Sequence, residues 1–182
     1  MNLPNALSFL RILSVPLLIW LVVENHSLAA LWLFALSGLT DSLDGFVAKR
    51  FHLETELGQY LDPLADKLLL LSGFITLTFL DLLPLWLTLM VVTRDVLIVG
   101  GALVYQVITG RLQIRPLWIS KLNTVSQMLL LFLVLWSITS RPLHGWLEPF
   151  IWLTAMTTLL SGGSYVFEWS RMVAQQERMK RA

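Results

Sequence analysis

Asp41, Asp44, Asp62 and Asp66 lie in the stretch "LTDSLDGFVAKRFHLETELGQYLDPLADKLLLL", between two apolar runs. Asp41 and Asp44 are three residues apart and Asp62 and Asp66 four, spacings that put each pair on one face of a helix. Carboxylates at the border of apolar segments are costly unless paired, hydrated or metal-bound, so they read as functional. Two facing pairs on a helical hairpin would form a cage of hard oxygen donors suited to Mg²⁺, Mn²⁺ or Ca²⁺. The chain has no cysteine, which disfavours zinc and excludes a disulfide framework. Four carboxylates this close would repel, and at least one would take up a proton. Two divalent cations relieve that repulsion, and such a pair is a recurring device for displacement at phosphorus. Gly45 directly after Asp44, Gly58 one turn before Asp62 and the small Ala48 one turn beyond Asp44 leave room for a ligand or backbone beside the cluster. Small residues there serve helix packing equally well. The same aspartates could bind a transported ion, form a proton path, or pair with Lys49, Arg50, Lys67 and Arg94, and spacing alone leaves these open.

The elements that must position these groups are apolar. Of the 182 residues, 56% are hydrophobic and 14% charged, against roughly 25% charged in a soluble domain, and the mean hydropathy is +0.71. The expected fold class is an all-α integral membrane protein with six transmembrane helices, over 5–23, 28–48, 60–80, 84–108, 118–139 and 146–169, in one membrane domain spanning 1–182. The N-terminal "MNLPNALSFLRILSVPLLIWLVV" lacks a basic stretch before its apolar run and a small-residue cleavage site after it, so it is expected to be retained. Lys49, Arg50, Arg111, Arg115, Lys121, Arg171, Arg178, Lys180 and Arg181 fall on one side of such a topology, whereas the opposite loops "ENHS", "DLLP" and "SRPLHG" carry only Arg141. The positive-inside rule then puts both ends, and the aspartates, on the cytoplasmic side. The tail "RMVAQQERMKRA" reads as a solvated helix end facing lipid headgroups, and the eight tryptophans as interfacial belt residues. "SGGS", Ser161 to Ser164, is expected to allow close packing or a kink in the last helix. His26, His52 and His144 have no metal-ligand spacing and no assigned role.

Read as a string, Asp41-x-x-Asp44-Gly45-x-x-Ala48-Lys49 followed by Gly58-x-x-x-Asp62-x-x-x-Asp66 resembles the signature of the CDP-alcohol phosphatidyltransferase family. "NLPNALSFLRI" and "YLDPLADKLLL" are similar to that family's first and third helix starts. "TRDVLIVGG" and "WISKLNT" are more similar to its cardiolipin synthase type than to its phosphatidylglycerophosphate synthase type. The resemblance implies a homodimeric six-helix enzyme in which an alcohol attacks the phosphatidyl phosphorus of CDP-diacylglycerol and CMP leaves. It implies two Mg²⁺ or Mn²⁺ ions held by Asp41, Asp44, Asp62 and Asp66, with Asp66 also the general base on the acceptor hydroxyl. Gly45, Ala48 and Gly58 would line the cytidine and diphosphate site. The family usually has arginine where this chain has Lys49; lysine loses the planar fork, so Lys49 would act as a point charge or Arg50 would substitute. Asn5 and Arg11 belong to the N-terminal segment and could contact the nucleotide or a metal-bound aspartate, with packing and interfacial anchoring the alternative.

An anionic glycerol-type acceptor needs basic side chains. Arg94 and Lys121, within apolar stretches, are candidates for it, with a salt bridge to Asp95 or a motif aspartate the alternative for Arg94 and interfacial anchoring that for Lys121. Arg111 and Arg115 could gather an anionic headgroup or serve as topology signals. The expected reaction is phosphatidyl transfer to phosphatidylglycerol, giving cardiolipin, in a bacterial or mitochondrial inner membrane with the site facing cytoplasm or matrix. The alternatives are phosphatidylglycerophosphate synthesis from glycerol 3-phosphate and, from another class, an ion or solute transporter. The latter would show related halves and midplane carboxylates, and neither is seen. Partners are the CDP-lipid, the acceptor, membrane lipids and a second copy, with no nucleic acid.

Overall fold

The computed structural model describes the backbone of residues 3–51, 56–109, 118–140 and 144–181, and the side chains of 8–40, 61–101, 118–139 and 146–171. The described chain is all-α: α1 (Leu3–Val23), α2 (Ser27–Phe51), α3 (Glu56–Phe79), α4 (Leu85–Thr109), α5 (Trp118–Ser140) and α6 (His144–Arg181). Each expected apolar segment is a helix. α6 continues past the end of its apolar segment at 169 to Arg181, so the polar tail is helical, as expected. Its last residues are Met, Ala, Gln, Glu, Lys and Arg, all strong helix formers, with a single valine and neither glycine nor proline among 172–181.

Two turns are set by residues that tolerate the left-handed conformation. Asn25 has φ 61° and Asp81 φ 58°. After α1, His26 N–H donates to Leu21 O at 2.8 Å and Asn25 N–H to Val22 O at 3.1 Å. After α3, Leu82 N–H donates to Leu77 O at 2.9 Å and Asp81 N–H to Thr78 O at 3.0 Å. Both are Schellman endings, with Asn and Asp in the place glycine usually takes.

The chain divides into two compact units, Met1–Pro84 with Met128–Leu147, and Leu85–Gln127 with Glu148–Ala182. In the first, α1 buries one stripe, Ser8, Arg11, Ser14, Leu18 and Val22, at helical spacing. The early part of that stripe is polar and the later part apolar. It shares a core with Ala30, Leu31 and Phe34 of α2, Ala65, Leu69, Leu70, Phe74 and Leu77 of α3, and Leu130, Leu131, Val134 and Leu135 of α5. Phe9, Leu13, Leu17 and Trp20 on the other faces of α1 are exposed, so the helix is apolar nearly all round, as lipid contact requires. By length and composition, Trp118–Thr139 and Trp146–Arg171 are able to cross a membrane.

The second unit is built differently. Leu87, Val91, Ala155 and Tyr165 are buried together with Arg94, Asn123, Ser126, Gln127, Thr154, Thr158 and Ser161. Its α4 and α6 meet closely at Gly101, where an added Cβ would clash with Cη2 and Cζ3 of Trp169. Trp169 in turn lies against Tyr165, with ring centroids 5.9 Å apart. Gly100 has nothing within 4 Å of the same position. Gly101→Ala is therefore expected to lower stability by about 1–3 kcal/mol through overpacking, with Gly100→Ala neutral or slightly stabilising. Thermal unfolding of the two variants in detergent checks this, and equal effects would refute the close approach.

Candidate functional site

Ser8 and Arg11 are three residues apart on α1, and Asp62 and Asp66 four apart on α3, so each pair occupies one helix face. The two pairs meet in order. Ser8 Oγ donates to Asp62 Oδ1, and Arg11 Nη1 lies 3.0 Å from Asp66 Oδ1. That order makes α1 and α3 parallel neighbours here. The Arg11 side chain is 3% exposed and that of Asp66 25%, so the guanidinium is sealed in while the carboxylate keeps an open side. One helical turn above, Ser14 Oγ donates to Arg11 O at 2.6 Å, which keeps this buried hydroxyl satisfied within its own helix.

Charge placed among apolar helices must be answered locally, and a hydrogen-bonded pair does so. The same contacts fix carboxylate orientation, since one oxygen of each aspartate is engaged from α1. Of the two contacts expected of Arg11, the structure thus contains the one with a motif aspartate. Ser8 was not expected. The available signal was its position one turn before Arg11, which puts a hydroxyl on the same face.

Asp41, Asp44, Gly45, Ala48, Lys49 and Arg50 of α2, Asn5 of α1 and Gly58 of α3 lie outside the described side chains, and Arg111 and Arg115 lie outside the described residues. Among the described residues no three carboxylate or imidazole groups gather, so the α3 pair is the described part of the expected cage. Both its members are hard oxygen donors, the donor class that Mg²⁺ and Mn²⁺ take.

In the second unit Arg94 is buried at 4% exposure and held on three sides. Nη1 donates to Asp95 Oδ1 at 2.7 Å, Nη2 to Ser120 Oγ at 2.7 Å, and Nε and Nη2 to Ser161 Oγ at 3.2 and 2.5 Å. Gly162 supports this: an added Cβ would come within 3.5 Å of Arg94 Cγ. The "SGGS" element thus contributes Ser161 as a ligand to the guanidinium, with no break in α6 and with open space beside Gly163. The Asp95 alternative for Arg94 is present in the structure. Lys121 is exposed, its Nζ 5.0 Å from the Trp118 ring centroid, a cation–π contact suited to an interface.

Residues 1–160 match the family model described as CDP-alcohol phosphatidyltransferase. Among curated proteins, the chain is 34% identical to the "Cardiolipin synthase (CMP-forming)" of Homo sapiens, over 96% of this chain and 63% of that protein. It is 36% identical to the "CDP-diacylglycerol--glycerol-3-phosphate 3-phosphatidyltransferase 1, chloroplastic" of Oryza sativa subsp. japonica, over 91% of this chain and 56% of that protein. With the "Probable phosphatidylglycerophosphate synthase" of Mycobacterium tuberculosis it shares 33% identity over 91% of this chain and 80% of that one. The chain thus spans less than two thirds of the human and rice proteins.

The Arg94 node makes a prediction independent of these likenesses. Arg94→Lys keeps the charge but cannot reach Asp95, Ser120 and Ser161 together, and Ser161→Ala leaves guanidinium N–H groups unanswered. Each is expected to cost about 1–3 kcal/mol, read by thermal unfolding. Wild-type stability in both would show that the node holds nothing together.

Proposed function

Because the chain belongs to the CDP-alcohol phosphatidyltransferase family, we propose that it transfers the phosphatidyl group of CDP-diacylglycerol to phosphatidylglycerol, forming cardiolipin and releasing CMP. The observation that carries this reading is the α1–α3 seam, where two motif carboxylates are oriented by Ser8 and Arg11 inside the matched residues. Asp41, Asp44, Asp62 and Asp66 would hold two Mg²⁺ or Mn²⁺ ions. Those ions, when bound, neutralise phosphate oxygens and stabilise charge developing at phosphorus.

The residues of the chain divide the remaining work. Asp66 accepts the proton of the acceptor hydroxyl as its oxygen bonds to phosphorus and the bond from phosphorus to CMP breaks. Arg11 holds Asp66, and Ser8 holds Asp62, in the orientation this requires. Gly45, Ala48 and Gly58 leave space for the cytidine and diphosphate, with Asn5, Lys49 and Arg50 beside them. Lys121, Arg111, Arg115 and Arg94 are the cations proposed for the acceptor side. The proposed setting is six membrane spans with both ends on the cytoplasmic or matrix side of a bacterial or mitochondrial inner membrane, assembled as a homodimer. The apolar outward faces of the helices support the membrane setting.

The likeness to the rice protein, whose name specifies glycerol 3-phosphate, favours a second reading with that acceptor. Purified protein supplied with CDP-diacylglycerol, Mn²⁺ and each acceptor separately distinguishes them. CMP release with phosphatidylglycerol is expected; release only with glycerol 3-phosphate selects the second reading, and release with neither rejects both.

Two substitutions test the division of roles. Asp66→Asn is expected to lower CMP release at least about 100-fold while the protein still binds CDP-diacylglycerol. Arg11→Met is expected to weaken Mn²⁺ binding about 10–100-fold, measured directly by electron paramagnetic resonance of the unbound ion. Unchanged Mn²⁺ affinity in Arg11→Met would remove Arg11 as the residue that orients Asp66.

A further inference from the structure

Asn123 and Gln127 are one helical turn apart on α5, and both are buried, at 0% and 1% exposure. Their side chains face the same way, with Cβ atoms about 5–6 Å apart. Asn123 Oδ1 accepts from Thr157 Oγ1 at 3.1 Å and from Thr158 Oγ1 at 2.8 Å. The same two hydroxyls also reach Thr154 O, at 3.1 and 2.7 Å. Each hydroxyl has one proton to give. Turning the Asn123 amide so that its NH₂ faces the threonines lets both hydroxyl protons go to Thr154 O. In either orientation one polar atom of Asn123 is left over: in the first it is Nδ2, which has no partner among the described residues. Among the described residues, Gln127 has neither its Nε2 nor its Oε1 hydrogen-bonded.

Buried amides are almost always satisfied, by protein or by ordered water. From Trp118, the start of α5, Gln127 is nine residues in, about 13–14 Å along the helix, close to the middle of a hydrocarbon layer about 30 Å thick. The occupant must offer both a donor and an acceptor, because Gln127 presents an N–H₂ and a carbonyl oxygen together. A cation would satisfy only the oxygen and an anion only the N–H groups. Water satisfies both, and a buried water typically makes about three hydrogen bonds, a number the unanswered amide atoms can supply.

We propose that Asn123 and Gln127 form an internal water-binding site in the second unit, at mid-depth of α5. The site rests on no assumption about the reaction. Gln127→Met is the discriminating substitution, because methionine has nearly the same shape and no polar group. If the amide is dry and unpaired, its removal relieves a penalty and the Tm rises. If it binds water, the substitution removes the water's anchor and leaves Asn123 unanswered, and the Tm falls by roughly 3–6 °C. A map of the wild-type protein at a resolution that shows ordered water is the second measurement, and it needs no variant to fold. Density bridging the two amides, with a lowered Tm for Gln127→Met, is the expected result. An unchanged or raised Tm overturns the proposal, as does a map in which Gln127 is bonded to protein or has no density beside it.

Discussion

Arg11 and Asp66 meet at 3.0 Å on two helices whose other buried residues are largely Leu, Phe and Ala, and the sealed Arg11 guanidinium without that carboxylate would be left in surroundings that solvate it poorly. Removing one partner of such a pair typically costs about 3–5 kcal/mol. This constraint fixes how α1 lies against α3. The stripe that buries Leu18 and Val22 further along α1 must also bring Arg11 level with Asp66 and Ser8 level with Asp62. A shift of α1 by one turn would break both polar contacts. Register is therefore set by the polar half of the stripe and adhesion by the apolar half.

The second unit answers the same constraint with hydroxyls and amides. Arg94 is matched by Asp95 and two serines from α5 and α6, and Asn123 by two threonines of α6. Among lipid tails, apolar packing alone gives two helices little reason to prefer each other over lipid, and hydrogen bonds between small polar side chains supply part of the preference. That explains why α6 can carry Thr154, Thr158 and Ser161 in its apolar middle and remain an orderly helix. Close approach also explains Gly101, which allows the large Trp169 side chain to lie directly on the opposing backbone.

The helices were legible because long apolar runs between polar breaks have few alternatives. The α3 carboxylates were legible because two aspartates four residues apart in such a run are hard to explain otherwise. Their partners were not. Ser8, Ser120 and Ser161 are ordinary serines in the sequence, and a serine acquires its role from what the opposing helix puts within about 3 Å. Arg94 was singled out from its position, but position could not tell a charge held inside the protein from one open to a ligand. The helical tail of α6 was legible because strong helix formers continue past the apolar segment, through 172–181.

The arrangement around Arg94 bears on the acceptor. A guanidinium has five N–H donors; four hydrogen bonds to Asp95, Ser120 and Ser161 are already made, and Asp95 offsets its charge. Glycerol 3-phosphate presents a phosphomonoester of nearly two negative charges, which would compete with Asp95 for that guanidinium. Phosphatidylglycerol presents a phosphodiester with a single charge and a hydroxyl that is remote from it, and makes a smaller demand. Lys121, exposed over Trp118, can meet that single charge without disturbing the node. Under the reading proposed above, this is an electrostatic reason to prefer the less charged acceptor, separate from the motif residues of α2 and α3.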